Sequence, residues 1–115
     1  MKKIKVMVCD DMPQILRHFK KLIDSDDDME VVATATTGKE AVELVGKVEP
    51  DIILMDIQME SENAGIKATK KILENNPDIK VIILTVHKED DLIFQAYGAG
   101  AVDYIIKTEP NNEVL

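Results

Sequence analysis

The sequence predicts an α/β fold, a doubly wound five-stranded parallel sheet with helices on both faces, and three observations lead there. Strand-like and helix-like segments alternate strictly along the chain. The runs "VMVC", "IILM" and "VIIL" are almost wholly apolar, as strands covered on both faces must be. Breaks fall between segments, at Pro50, at "NNP" (Asn75 to Pro77) and at "GAG" (Gly98 to Gly100), with no internal repeat and no long linker.

Each element follows in order. The first strand runs from Ile4 to Cys9, and Pro13 suits the first turn of the helix after it, where Ile15, Leu16, Phe19, Leu22 and Ile23 recur every three or four residues. A second strand, Glu30 to Ala35, carries polar residues. Thr37 with Glu40 makes a capping box that opens the second helix. The third strand spans Asp51 to Met55, and Ile66, Thr69, Ile72 and Leu73 mark the helix that follows. Lys80 to Leu84 and Ala101 to Ile106 complete the strands. The most apolar strands, the first, third and fourth, belong in the middle, and this gives the flavodoxin-like order 2-1-3-4-5 with right-handed crossovers. That order has a switch point between the first and third strands, where ligands bind beyond the carboxyl ends.

Bulk properties restrict the function. At 115 residues the chain fits one domain able to bury a core without staples. A net charge of -8 argues against nucleic-acid binding by this domain and suits a cation ligand or plain solubility. The single cysteine, Cys9, sits inside the first apolar run and reads as a core thiol in a cytoplasmic protein. No stretch has membrane-spanning length, and "MKKIKV" is no signal peptide.

The chemistry lies at the strand ends. Asp10 and Asp11 follow the first strand and Asp56 follows the third, so all three carboxylates converge on the switch point. Singly, each reads as a helix cap. Together they need raised pKa values or a cation, and oxygen ligands of this kind suit Mg2+ or another divalent cation. Thr85 ends the fourth strand and Lys107 the fifth, adding a hydroxyl and a fixed positive charge. This set fits phosphoryl transfer, with Asp56 as nucleophile and the cation and lysine stabilising charge on the equatorial oxygens.

With "CDD", "DIILMDIQM", "IILT" and "DYIIK" in this order, the chain resembles the receiver domains of two-component response regulators over essentially its whole length. The resemblance implies that Asp56 accepts phosphate from a sensor histidine kinase. It implies that Asp11, Asp56 and the backbone carbonyl of Gln58 hold Mg2+, with Asp10 assisting. Thr85 and Tyr104 would be the switch residues, Thr85 moving toward the phosphoryl group and Tyr104 turning inward. Gln58 and His87, two residues after Asp56 and Thr85, would tune the lifetime of the phosphate. "GIKATKKI", "PDIKVIILTVH" and "GAVDYIIKT" look most like the NarL/LuxR-type subgroup, whose members usually carry a C-terminal DNA-binding helix-turn-helix.

Residues 1–115 are therefore read as a receiver piece of a longer transcriptional regulator, with the last helix truncated at "PNNEVL" and the output domain absent. The sheet face under the first helix is then expected to lack apolar cover near the first and third strands, which would loosen the fold or promote self-association as a homodimer. Some residues depart from the family pattern. Met59-Glu60 replaces the usual Met-Pro and puts a charge near the site, Gly65 comes one residue late in a longer loop, and Thr108 replaces the proline that commonly brings a cis peptide.

Other readings are weaker. The acidic run Asp24 to Asp28 lacks the glycine and the final glutamate of a calcium loop. A flavin carrier would need Gly, Ser or Thr where "DDMPQ" stands. An aspartate-nucleophile phosphatase would use Asp10 with a second aspartate at the position of Met12. A receiver that signals by binding alone is the remaining alternative. His18 and His87 are read as surface residues rather than a ligand pair, and Met7 and Met55 as core.

Overall fold

The computed structural model describes residues 2–86 and 90–107. Along this span run β1 (Ile4–Cys9), α1 (Pro13–Asp24), β2 (Met29–Ala35), α2 (Gly38–Val48), β3 (Ile52–Asp56), α3 (Ala64–Asn75), β4 (Lys80–Thr85), α4 (Asp90–Gly98) and β5 (Asp103–Ile106). The strands form one parallel sheet in the order β2-β1-β3-β4-β5, as the composition of the strands predicts. The expected truncation of the last helix falls on residues 108–115, outside the described residues, as do His87 and Thr108.

Side-chain alternation along each strand divides the core into two layers. Val6, Val8, Leu54 and Leu84 point to one face and bury Ile15, Phe19 and Ile23 of α1. Met7, Cys9, Ile53, Met55, Val81 and Ile83 point to the other, under Ala41 and Val45 of α2 and Ala68 and Ile72 of α3. Each large aliphatic side chain so buried stabilises the fold by about 1.5–3 kcal/mol relative to exposure. The expected bare face beside β1 and β3 is not found, because α1 covers Val6, Val8 and Leu54. The apolar exposure left on that face lies at its margins, at Ile4 where β1 starts, 41% accessible, and at Ile105 of β5, 38% accessible beside its register partner Leu84.

Local signals act where the sequence places them. Pro13 opens α1, and the Thr37 side chain accepts a hydrogen bond from the Glu40 amide at 3.0 Å. The Glu40 carboxylate reaches back one residue further than a simple capping box requires, to the amide of Thr36 at 2.8 Å. β5 starts two residues later than expected, because Val102 bonds to Val81 of β4 before the regular ladder begins at Asp103. Asp51 lies just before β3 rather than in it, and its carboxylate accepts from the Lys5 amide at 2.9 Å.

Candidate functional site

The parallel sheet brings the carboxyl ends of β1, β3 and β4 and the residue after β5 to one edge. Asp10 follows β1 and is fully buried. Its Oδ1 accepts from the Met12 amide at 2.9 Å, and its Oδ2 accepts from Lys107 Nζ at 2.8 Å. Asp56 ends β3, is 5% exposed, and accepts from the same ammonium at 3.1 Å. One lysine therefore bridges two buried carboxylates, from a position fixed by the bond between its own amide and the Thr85 carbonyl at the end of β4. Asp11 lies beside them and is exposed.

One carboxylate oxygen each from Asp10, Asp11 and Asp56 falls within 4.8 Å of the others, a grouping able to hold a metal ion. The donor set fits a hard cation: it is oxygen only, two members are pinned, and the exposed third leaves room for water ligands. The crevice outside these groups is lined by Asp11, Met12, Asp56, Gln58, Met59 and Lys107.

Burial, reinforced by the charge of Asp10, raises the Asp56 carboxyl from its ordinary 3.8 to about 6, and Lys107 only partly opposes this. For Lys107, burial alone would lower the ammonium pKa. Its bond to Asp10 and the charge of Asp56 outweigh that and raise it instead. Desolvation also pushes the Cys9 thiol well up, with the charges of Glu40, Asp10 and Asp56 adding to it, so Cys9 is an inert core thiol.

The structure thus brings together Asp10, Asp11, Asp56 and Lys107, with the Gln58 segment alongside. Thr85 is buried at the adjoining strand end. Tyr104 points away from the crevice, 40% exposed, with its ring edge-on to Tyr97 at 6.3 Å. Asp10 is poorly placed as a nucleophile, since both its oxygens are engaged, and this speaks against the phosphatase reading.

Sequence reasoning misplaced Glu60. Rather than adding charge to the crevice, its carboxylate accepts from the Gly38 amide at 2.7 Å and the Lys39 amide at 3.1 Å, at the start of α2. Against a desolvation push upward, these bonds hold the Glu60 carboxyl below its ordinary value. Gly65, despite arriving one residue late, packs against β3: a Cβ there would collide with the Asp56 carbonyl oxygen. No local signal marks Glu60 as a cap, because the helix it serves begins 22 residues earlier.

A family model described as the response regulator receiver domain matches residues 6–115. The chain belongs to this family. Among curated relatives, the receiver domain is 36% identical to the oxygen regulatory protein NreC of Staphylococcus carnosus over 112 residues, 97% of this chain and 52% of that protein. It therefore spans about half the length of the curated relatives it matches. Among solved structures, the response regulator domain of Thermotoga maritima CheB is 37% identical with a TM-score of 0.85, covering 99% of this chain and 84% of that one. A LuxR-family two-component response regulator from Aurantimonas is 29% identical with a TM-score of 0.85, over 95% and 77% of the two chains. These relatives bear out the receiver fold and its likeness to the NarL/LuxR-type subgroup. No helix among the described residues is long and apolar enough to cross a membrane.

Proposed function

We propose that this receiver domain is a phosphoryl-accepting switch in which Asp56 takes a phosphoryl group from a phosphohistidine of a sensor histidine kinase. The observation that carries the reading is Lys107 Nζ held between Asp10 and Asp56, 2.8 and 3.1 Å away, at the switch point of the sheet. A carboxylate oxygen of Asp56 attacks phosphorus. The new O–P bond forms as the N–P bond of the donor breaks, and its electron pair leaves with the imidazole nitrogen. Lys107 stabilises the negative charge that collects on the phosphoryl oxygens, and its bond to Asp56 supports this role.

Asp11, Asp56 and the Gln58 backbone carbonyl are the residues assigned to Mg2+, with Asp10 assisting, and the bound ion would supply further charge stabilisation. Thr85 and Tyr104 relay the modified state, Thr85 through its hydroxyl and Tyr104 by leaving its exposed position beside Tyr97. Gln58 and His87 tune the lifetime of the phosphate. The domain catalyses only its own phosphorylation and dephosphorylation. It works in the cytoplasm and controls transcription through a C-terminal DNA-binding domain of the full-length regulator. Support for this output comes from the LuxR-family likeness.

Reductive trapping tests the assignment. After treatment with a small acyl phosphate and Mg2+, borohydride converts an aspartyl phosphate to homoserine, and peptide mass mapping is expected to place that change at residue 56. Homoserine at Asp10 or Asp11 instead would overturn the assignment.

A further inference from the structure

We propose that Glu60 is a positioning residue for the cation and phosphoryl site. Its carboxylate clasps the loop after Asp56 onto the first turn of α2 and so holds the Gln58 backbone carbonyl toward Asp11 and Asp56. The inference rests on the reading that Gln58, Asp11 and Asp56 hold the cation.

The loop from residue 57 to 63 leaves β3 and must return to start α3. Its internal backbone bonds, Met59 N–H to Ser61 O at 3.2 Å, Ala64 N–H to Ser61 O at 3.3 Å and Gly65 N–H to Ile57 O at 2.8 Å, close the turn upon itself. None of these bonds reaches α2. Glu60 supplies that link, each carboxylate oxygen accepting one amide, from Gly38 and from Lys39. Both bonds are charge-assisted and lie at the positive end of the α2 dipole. Because the Thr37 hydroxyl takes the Glu40 amide, the first three amides of α2 all have partners, and Glu60 supplies two of them.

The contact depends on a close approach of two backbones. A Cβ on Gly38 would lie 2.8 Å from the Ala64 carbonyl oxygen, so the absence of a side chain lets the start of α2 sit against the start of α3. The segment from Asp56 to Glu60 is then fixed at both ends, at β3 by the sheet and at α2 by the clasp. Gln58 is its midpoint, and Met59 packs inward against the core. The same bonds keep the Glu60 charge on the α2 side, in a groove with Val42, Ala64 and Ala68.

The test uses Glu60→Ala and Glu60→Gln, with Thr37→Ala as a variant that weakens the same helix terminus without touching the loop. Mg2+ affinity is read by titration calorimetry, and backbone amides by NMR. Glu60→Ala is expected to weaken Mg2+ binding about tenfold, the low end for residues that orient metal ligands. It is expected to shift the amides of Gly38 and Lys39 and, with them, those of Gln58 and Met59. Glu60→Gln keeps one oxygen acceptor and falls between, while Thr37→Ala leaves Mg2+ affinity unchanged. Movement of Gly38 and Lys39 alone would make Glu60 a helix cap and nothing more, overturning the proposal. Equal Mg2+ losses in both Glu60 variants with Gln58 and Met59 unmoved would mean a simple charge effect and would overturn it as well. A wild-type chain that binds no Mg2+ would overturn the metal assignment, and the joint response of the amides would still decide the clasp.

Discussion

Replacing Asp56 by Asn should stabilise the metal-free protein at neutral pH, and the size of the effect follows from the site. The folded Asp56 carboxyl titrates at about 6 against 3.8 for an ordinary aspartate, so between those values the native state binds more protons than the unfolded chain. Stability therefore falls as pH rises through this window and, for this group, levels off above it. The full difference corresponds to about 3 kcal/mol at 1.36 kcal/mol per tenfold. Solvent screening at the mouth of the crevice reduces this to roughly 2 kcal/mol. Asn keeps the shape and removes the charge, and Lys107 retains Asp10 as its partner. For a domain of this size 2 kcal/mol is about 8 °C in Tm. Thermal unfolding followed by circular dichroism in a chelator is expected to show that gain at pH 7 and little of it at pH 4. Mg2+ at one hundred times Kd should then stabilise the wild type, which keeps the charged ligand, by about 2.7 kcal/mol, enough to offset the lead of the variant. A variant no more stable than wild type at pH 7, or an advantage equal at both pH values, would refute the electrostatic account of the cluster.

Lys107→Ala leaves Asp10 and Asp56 buried without their shared cation, and the urea midpoint should report a loss of roughly 3 kcal/mol in the metal-free state. Mg2+ should restore more stability to this variant than to wild type. Gly65→Ala drives a Cβ into the Asp56 carbonyl, so the variant should lose at least about 2 kcal/mol and accept phosphate more slowly, as a stopped time course with acyl phosphate would show. Thr37→Ala removes a helix cap worth about 1 kcal/mol, with the phosphorylation rate unchanged in the same assay.

Most of the fold is legible in the sequence because its two periodicities are separate. In "VMVC" both faces are apolar, and only a sheet covered on both sides makes use of that, as Val6 and Val8 against α1 and Met7 and Cys9 against α2 and α3 demonstrate. The convergence of Asp10, Asp11 and Asp56 follows from strand order alone, since the ends of adjacent parallel strands must meet. Lys107 is legible only as the residue after β5 at the same edge of the sheet, two strands from β3, and its bridging of two carboxylates depends on a side-chain reach that no spacing encodes.

What was not legible depends on contacts between distant segments. Glu60 reads as a stray charge until Gly38 is seen to bring α2 within reach. The bare face expected beside β1 and β3 was an inference from the expected loss of the last helix, and it underestimated the cover that the α1 stripe of Ile15, Phe19 and Ile23 provides. The role of Tyr104 comes from the family resemblance, which does not fix which of two rotamers the ring adopts. Here it rests against Tyr97, on the outside.

The most direct test is intact mass after incubation with a small acyl phosphate, with and without Mg2+, on the wild-type chain and on Asp56→Asn. One phosphoryl group is expected on the wild type, dependent on Mg2+ and absent from the variant. A folded wild type that takes up no phosphoryl group, or an Asp56→Asn chain that takes up the same amount, would contradict it.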